Sequence, residues 1–527
     1  MRSSRRDALA QLGALIGVPL LGWPAFRDDD PLGGTVAAFQ AGRARGVWTA
    51  AEVTARALER ARAHNGRLRA VAAFAPDALE AARASDARAT AGRLHGPLDG
   101  VPVFAKSIHD MRGLPTDASN AEWVRLFPEP VSRDAVEVAR LRAAGAVILG
   151  KTAADDFAYR GIGDSTATGR VRNPYDPADA RTAGGSSAGS AVAMACGFGF
   201  GALGTDDGGS NRIPAQCCGI VGMKPTFGRI PRLGVIPTWP VLDTHGPLAR
   251  TAEDAALLFR VLDGADAADA LDPLLDWVPP RMRARPATRL PAARVGVVQA
   301  HVPRAQMTPE ARALFDRAVA DLRATGTEVV DVEAPVTLHT FRAQFAAAAT
   351  AHGDPAPDAR AAAATANALL RYFAGRTDDP RGAFRRGYAA YRHYYDVLPV
   401  DADAALALAD TAYERLPAVA AFVRARRTVI GQLAAAMSAQ RVEALLYPTM
   451  PFAAFGADGV WPDIRTPLGY GNWLGLPEVS VPAGLGADGV PGLNISFVGL
   501  PMHDEPLLAL AMRYERASRR YTPPPLD

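Results

Sequence analysis

Only three of the chain's 58 Lys and Arg residues are lysines, Lys106, Lys151 and Lys224, and all three fall between Gly100 and Arg229. In a chain that otherwise writes arginine, a lysine marks a position where arginine cannot serve. Arginine stays protonated in proteins, whereas a lysine gives up its proton when its surroundings lower its pKa. The same stretch holds two glycine- and serine-rich runs, Gly184-Gly185-Ser186-Ser187-Ala188-Gly189-Ser190 and Gly204-Thr205-Asp206-Asp207-Gly208-Gly209-Ser210-Asn211-Arg212-Ile213-Pro214. Glycines allow close backbone approach and can aim several N–H groups into one small volume, which suits an oxyanion. Serines beside them supply hydroxyls that a base can activate. Ser186 and Ser210 stand 24 positions apart with helix-forming residues between them, so the two runs are not linkers.

Other patterns exclude more than they suggest. The three cysteines, Cys196, Cys217 and Cys218, form neither a disulfide framework nor a zinc motif. His109 and His245 sit near glycine-rich turns and read as ordinary polar contacts rather than ligands. Gly145-Ala146-Val147-Ile148-Leu149-Gly150-Lys151-Thr152 fits the P-loop expression, but its middle is an apolar strand rather than a loop whose N–H groups turn inward. The net charge of +3 over 527 residues gives no basic footprint for nucleic acid.

These residues need elements to position them. Thr49 and Glu52 form a capping box that opens a helix to about Ala63, and Pro76-Asp77 opens another to about Ala91. Val101–Phe104 reads as a buried strand that delivers Lys106. Ser132 is expected to cap a helix through Ala144, ended by Gly145, with a strand at Ala146–Leu149. Further strands are expected at Arg294–Val298, Glu328–Val332 and Glu443–Tyr447, with a helix at Pro309–Thr325. Val479–Val481 and Leu493–Val498 form a hairpin around Asp488-Gly489. The alternation argues an α/β fold. Residues 338–440 are mostly helical and interrupt it, as an insertion that contributes to the pocket wall. The stretch from Asp266 to Leu290 reads as a surface excursion.

Residues 1–27 are a separate object. Arg5-Arg6 before a short apolar run, Ala10 to Trp23, resembles a bacterial twin-arginine export signal and implies a periplasmic or secreted protein. Gly13, Gly17 and Pro19 make that run a poor membrane span, so no stable membrane insertion is expected.

The motifs together resemble the amidase signature family. Gly100-Val101-Pro102-Val103 before Lys106 matches, as do the two glycine/serine runs and Gly219-Ile220-Val221-Gly222-Met223-Lys224-Pro225-Thr226. Asp243-Thr244-His245-Gly246-Pro247, Tyr447-Pro448-Thr449-Met450-Pro451 and Gly475-Leu476-Pro477 through Val481-Pro482-Ala483-Gly484 match as well. The resemblance covers about residues 35–515. It implies one large domain over 28–527, a mixed twisted β-sheet surrounded by helices, and hydrolysis of a small-molecule amide without a cofactor or metal. It implies Ser210 as nucleophile, Ser186 as a bridging serine on a cis peptide bond, and Lys106 as base. It further implies an oxyanion hole from the N–H groups of Asp207, Gly208, Gly209 and Ser210, with Ser187, Asp206 and Arg212 in support. The alternatives are an ammonia-generating component of an amidotransferase, or an idle homologue that only binds.

Some positions depart from the family pattern. Asp207 stands where an aliphatic residue or Thr is usual, Asn211 where Ile or Val is common, and Gln216-Cys217 where residues are smaller or aromatic. Ser107 and His109 also depart. An Asp207 carboxylate facing the oxyanion would oppose its stabilisation. It is expected to turn away and pair with an arginine; facing the pocket, it would meet a cationic substrate group. The aromatics Phe157, Tyr159, Trp239, Trp461, Tyr470 and Trp473 are candidates for the pocket wall.

Overall fold

Thr49 accepts a hydrogen bond from the Glu52 N–H, and Glu52 accepts one from Thr49 in return, which starts the helix Ala50–Leu68 where the spacing predicts it. The structure, a computed structural model, describes residues 30–264, 293–302, 307–333, 357–410, 417–458 and 468–526, together with 266, 277, 278, 282 and 305. The segment 1–27, the first part of 338–440, most of the excursion after Asp266, and Trp461 lie outside the described residues.

Eleven strands form one sheet: β1 Val71–Phe74, β2 Pro102–Lys106, β3 Val147–Thr152, β4 Gly201–Asp206, β5 Val221–Lys224, β6 Thr244–Ala249, β7 Arg294–Val298, β8 Glu328–Val332, β9 Ala444–Pro448, β10 Glu478–Leu485 and β11 Pro491–Val498. Their order is β1-β3-β2-β4-β6-β5-β10-β11-β9-β7-β8. The sheet is mixed. β2 runs parallel to β3 and β4, and β7 runs parallel to β8 and β9. β6, β5, β10 and β11 join these two parallel groups by antiparallel pairing. Every residue of β2, β3 and β4 is buried, as parallel strands covered on both faces must be.

Two local expectations are settled by hydrogen bonding. Ser132 does not cap the following helix, which runs Val136–Ala143 after Ala135 without a side-chain cap. The Ala135 N–H donates to the Asp110 carbonyl and Asp134 accepts from the Arg112 N–H, so the chain is tied to that turn until Ala135. The P-loop expression resolves into a helix end at Gly145 (φ +83°) and strand β3, with Lys151 inside the strand. The hairpin of β10 and β11 turns through Gly489 at φ +78°. Helices Pro357–Ala374, Pro380–Arg392, Ala402–Ala409 and Pro417–Ala439 account for the described part of 338–440. No helix among the described residues is long and apolar enough to cross a membrane.

Candidate active site

Because β2 and β4 run parallel, their C-terminal ends open at the same edge of the sheet. β2 delivers Lys106, its last residue, and β4 delivers Thr205 and Asp206 before handing over to the loop 207–211. Ser186 and Ser187 lead into the helix Ala188–Ala195, which packs on these strands. All three lysines are fully buried, but only Lys106 meets the serines. Its Nζ lies 2.7 Å from Ser186 Oγ and 2.8 Å from Thr205 Oγ1. Lys151 bonds Thr116 instead, and Lys224 the Pro225 carbonyl.

Burial lowers the Lys106 pKa to about 8, against the opposing fields of Asp207, Asp155, Asp243 and Asp206. The neutral amine is therefore accessible at mildly alkaline pH. The Gly185–Ser186 peptide bond is cis, as the resemblance implies. Gly185 has no room for a side chain, since a Cβ there would sit 2.3 Å from Asp155 Oδ2.

The two serine runs are stitched together. The Ser187 N–H donates to the Ser210 carbonyl (3.1 Å), and the Ser187 hydroxyl reaches Asn211 Oδ1 (3.1 Å). Asn211 Nδ2 then donates to the carbonyls of Met223 (3.0 Å) and Gly246 (3.3 Å). This explains the departure at Asn211, since an aliphatic residue could not tie the loop 207–211 to β5 and β6. Gln216 is similarly placed: it exchanges hydrogen bonds with the Phe452 carbonyl and the Met450 N–H. Ser107 hydrogen-bonds Ser119, which accepts from the Ala154 N–H.

Ser210 is 8% exposed, under an opening at the exposed Gly208, where a Cβ would meet nothing within 4 Å. The N–H groups of Asp207, Gly208 and Ser210 have no partner among the described residues. Gly209 differs from the expected set of four. Its N–H donates to Asp206 Oδ1 at 2.8 Å in a strong charge-assisted bond, whereas the other three N–H groups stay open.

Behind this loop, Asp206 accepts from the N–H groups of Gly209 and Asn211, from Arg212 Nε and Nη2, and from Asn472 Nδ2, all at 2.8–3.1 Å. Burial works against its charge, but the Arg212 guanidinium and the other donors hold the carboxyl well below the usual range. Arg212 Nη1 reaches Glu478 Oε2 at 2.6 Å, and Glu478 also accepts from the Tyr447 hydroxyl. Asp206 and Arg212 thus form the expected brace. Asn472, Glu478 and Thr205 were not anticipated, because nothing local in the sequence marks them as partners of Asp206, Arg212 and Lys106.

Asp207 does not meet the expectation of an arginine partner. No arginine pairs with it among the described residues, and its Oδ1 lacks a hydrogen-bond partner. Burial pushes its carboxyl well above the ordinary range, and the neighbouring Asp243 charge adds to that, with Thr238 and Lys106 opposing. The group is held as a neutral acid, so it does not set a negative charge against an oxyanion.

The aromatic candidates divide. Phe157 and Tyr470 are buried core, packed on Tyr391 and His301 respectively, and Trp473 packs on Phe422. Trp239 and the exposed Tyr159 are partly solvent-facing. Both lie edge-on to Tyr395, with ring centroids 6.0 and 5.6 Å away.

Comparison with known proteins agrees with this geometry. Residues 52–508 match the family described as Amidase. The chain is 34% identical to the A subunit of the glutamyl-tRNA(Gln) amidotransferase of Roseiflexus castenholzii, over 93% of this chain and 96% of that protein. It is 35% identical to the corresponding protein of Salinispora arenicola, over 92% and 97%. Among solved structures, the native peptide amidase of Stenotrophomonas maltophilia superposes with a TM-score of 0.74 at 29% identity, over 96% of this chain and 100% of that one. A 6-aminohexanoate cyclic dimer hydrolase complexed with substrate gives a TM-score of 0.68 at 25% identity, over 94% and 99%. With a lysine buried against a serine on a cis peptide bond and a match across most of its length, the chain belongs to the amidase signature family and is a C–N amide hydrolase.

Proposed function

We propose that the protein hydrolyses a small-molecule carboxylic amide through an acyl-enzyme on Ser210, with Lys106 as general base acting through Ser186. The observation that carries this reading is the buried Lys106 Nζ, 2.7 Å from Ser186 Oγ. Neutral Lys106 takes the Ser186 proton as Ser186 takes that of Ser210, because a hydroxyl both donates and accepts. Ser210 Oγ attacks the amide carbonyl, and the N–H groups of Asp207, Gly208 and Ser210 receive the oxyanion. The proton returns along the same path to the departing nitrogen, and the amine leaves. Water, deprotonated by the same relay, then releases the acid. The test is a panel of amides assayed beside Ser210→Ala, with trapping of the acyl group on Ser210 by mass spectrometry. An acyl adduct on another residue would overturn the reading.

A second reading, an ammonia-generating component of a larger assembly, is favoured by the relatives named for glutamyl-tRNA(Gln) amidotransferase. Glutamine hydrolysis that emerges only with added partner proteins would establish it. Against it stands the Arg5-Arg6 segment, from which we propose export to the periplasm or beyond. Replacing both arginines by lysine should retain the protein in the cytoplasm, and equal periplasmic yield would remove the export proposal.

A further inference from the structure

Directly behind the catalytic lysine, three stretches of chain bring His109, Glu137 and His245 together. His109 lies in the turn after β2, Glu137 in the first turn of the helix Val136–Ala143, and His245 in β6 opposite Thr205 of β4. All three side chains are fully buried. One ligand atom from each lies within 4.8 Å of the other two. The outer nitrogen of each ring faces an oxygen. His109 Nδ1 is 3.1 Å from the Lys106 carbonyl, and His245 Nε2 is 3.3 Å from Asp243 Oδ1. The inner nitrogens, His109 Nε2 and His245 Nδ1, converge on one atom, Glu137 Oε2, at 3.1 and 2.8 Å.

A carbonyl can only accept, so His109 Nδ1 carries the proton toward Lys106. His109 Nε2 is then the ring atom turned to the Glu137 carboxylate, 3.1 Å away. His109 Nε2 and Glu137 Oε1 have no hydrogen-bond partner, although both are buried. Buried polar atoms left unmatched cost stability unless a ligand takes them up. The arrangement is that of metal-binding histidines, whose second nitrogen is oriented by a carboxylate or a backbone carbonyl. With metal–ligand bonds of about 2.0–2.1 Å, tetrahedral ligands stand roughly 3.3 Å apart, against 3.1 and 2.8 Å from the two rings to Glu137 Oε2.

We propose that His109, Glu137 and His245 bind one divalent ion of the zinc class, with Asp243 and the Lys106 carbonyl as outer partners. Imidazole and carboxylate together suit such a first-row ion. The site is separate from the serines and carries no step of the hydrolysis. It ties the Lys106 turn to β6 and to the helix Val136–Ala143.

The test uses the full chain, expressed with added zinc and passed through gel filtration. Metal analysis should find roughly one zinc per chain. Replacement by cobalt(II) should give visible absorption typical of nitrogen and oxygen ligands. In folded Glu137→Gln and His109→Asn proteins, zinc affinity should fall by about tenfold or more. A zinc-poor wild-type protein whose melting shifts with neither zinc nor chelator would overturn the proposal, leaving a proton shared between the rings and Glu137. Zinc retained unchanged by both variants would place the metal elsewhere and overturn it as well. If the variants do not fold, the wild-type stoichiometry and cobalt spectrum decide.

Discussion

Asp206 and Asp207 are neighbours in sequence and both are buried, yet they face regions built on opposite principles. Behind the nucleophile loop, Asp206 receives five hydrogen bonds, two of them from one guanidinium, and is held as an anion. In front, Asp207 has an oxygen without a partner and lies beside the Asp243 charge, so it keeps its proton. Burial alone does not decide a carboxyl's charge; the count and sign of what faces it does. The rear is a saturated clamp that holds the loop in place. The front is left electrostatically unspent.

The largest effects are expected in front, where chemistry is done. Ser210→Ala and Lys106→Arg should each lower kcat by about 10³ or more with the fold intact, because nucleophile and base act as a unit. Arginine keeps its charge and cannot accept the proton. Lys106→Arg retaining most of its activity on a standard amide would end the general-base role. In the rear the damage should be to the fold. Arg212→Met leaves Asp206 and Glu478 buried without their cation, and loss of one partner of such a pair costs about 3–5 kcal/mol. Denaturant melts that move by less than about 1 kcal/mol would show that the clamp is not what holds the loop.

Asp207→Asn should do the reverse of Arg212→Met. The folded state holds this carboxyl protonated, while the unfolded chain ionises it above about pH 4. Its raised pKa therefore favours folding fully below that pH, and the contribution is lost as pH rises. Asparagine has no proton to hold, so the variant should melt higher than wild type at pH 8, by on the order of a degree or two, with a smaller gap at pH 4. A variant less stable at pH 8 would mean that the carboxylate has an ionic partner. The smallest effect concerns the activity profile. Lys106 must be neutral to act, so kcat/KM should rise with pH around a midpoint near about 8. Asp207 keeps its proton and has no charge to lose, so the midpoint should stay in place in Asp207→Asn, and a downward shift would show that Asp207 is ionised in the folded protein.

The sequence made one side of this contrast more legible than the other. Glycine-rich runs, the capping box at Thr49 and the short strand before Lys106 are local patterns, and they appear where spacing places them. The brace between Asp206 and Arg212 is six residues long and equally local. Its completion by Asn472 and Glu478 is not, since nothing near either residue marks it as a partner for a distant arginine. The same distance hid Glu137, which joins two histidines that read separately as ordinary polar contacts. The helix after Ser132 starts late because the turn at Asp110 captures the preceding backbone, a tertiary contact that no capping signal contains. The mixed strand order was equally out of reach of local pattern.

The reach from Arg212 to Glu478 also has a consequence in time. The two are 266 residues apart, and a ribosome adding about 5–20 residues each second needs roughly 13–50 s to make that span. Throughout that interval the nascent chain carries the nucleophile loop with Asp206 and Arg212 but without the strand that completes the clamp. The emerging protein thus carries Ser210 before it can hold it in place, and the completion of the clamp is timed by the synthesis of β10 rather than by that of the loop itself.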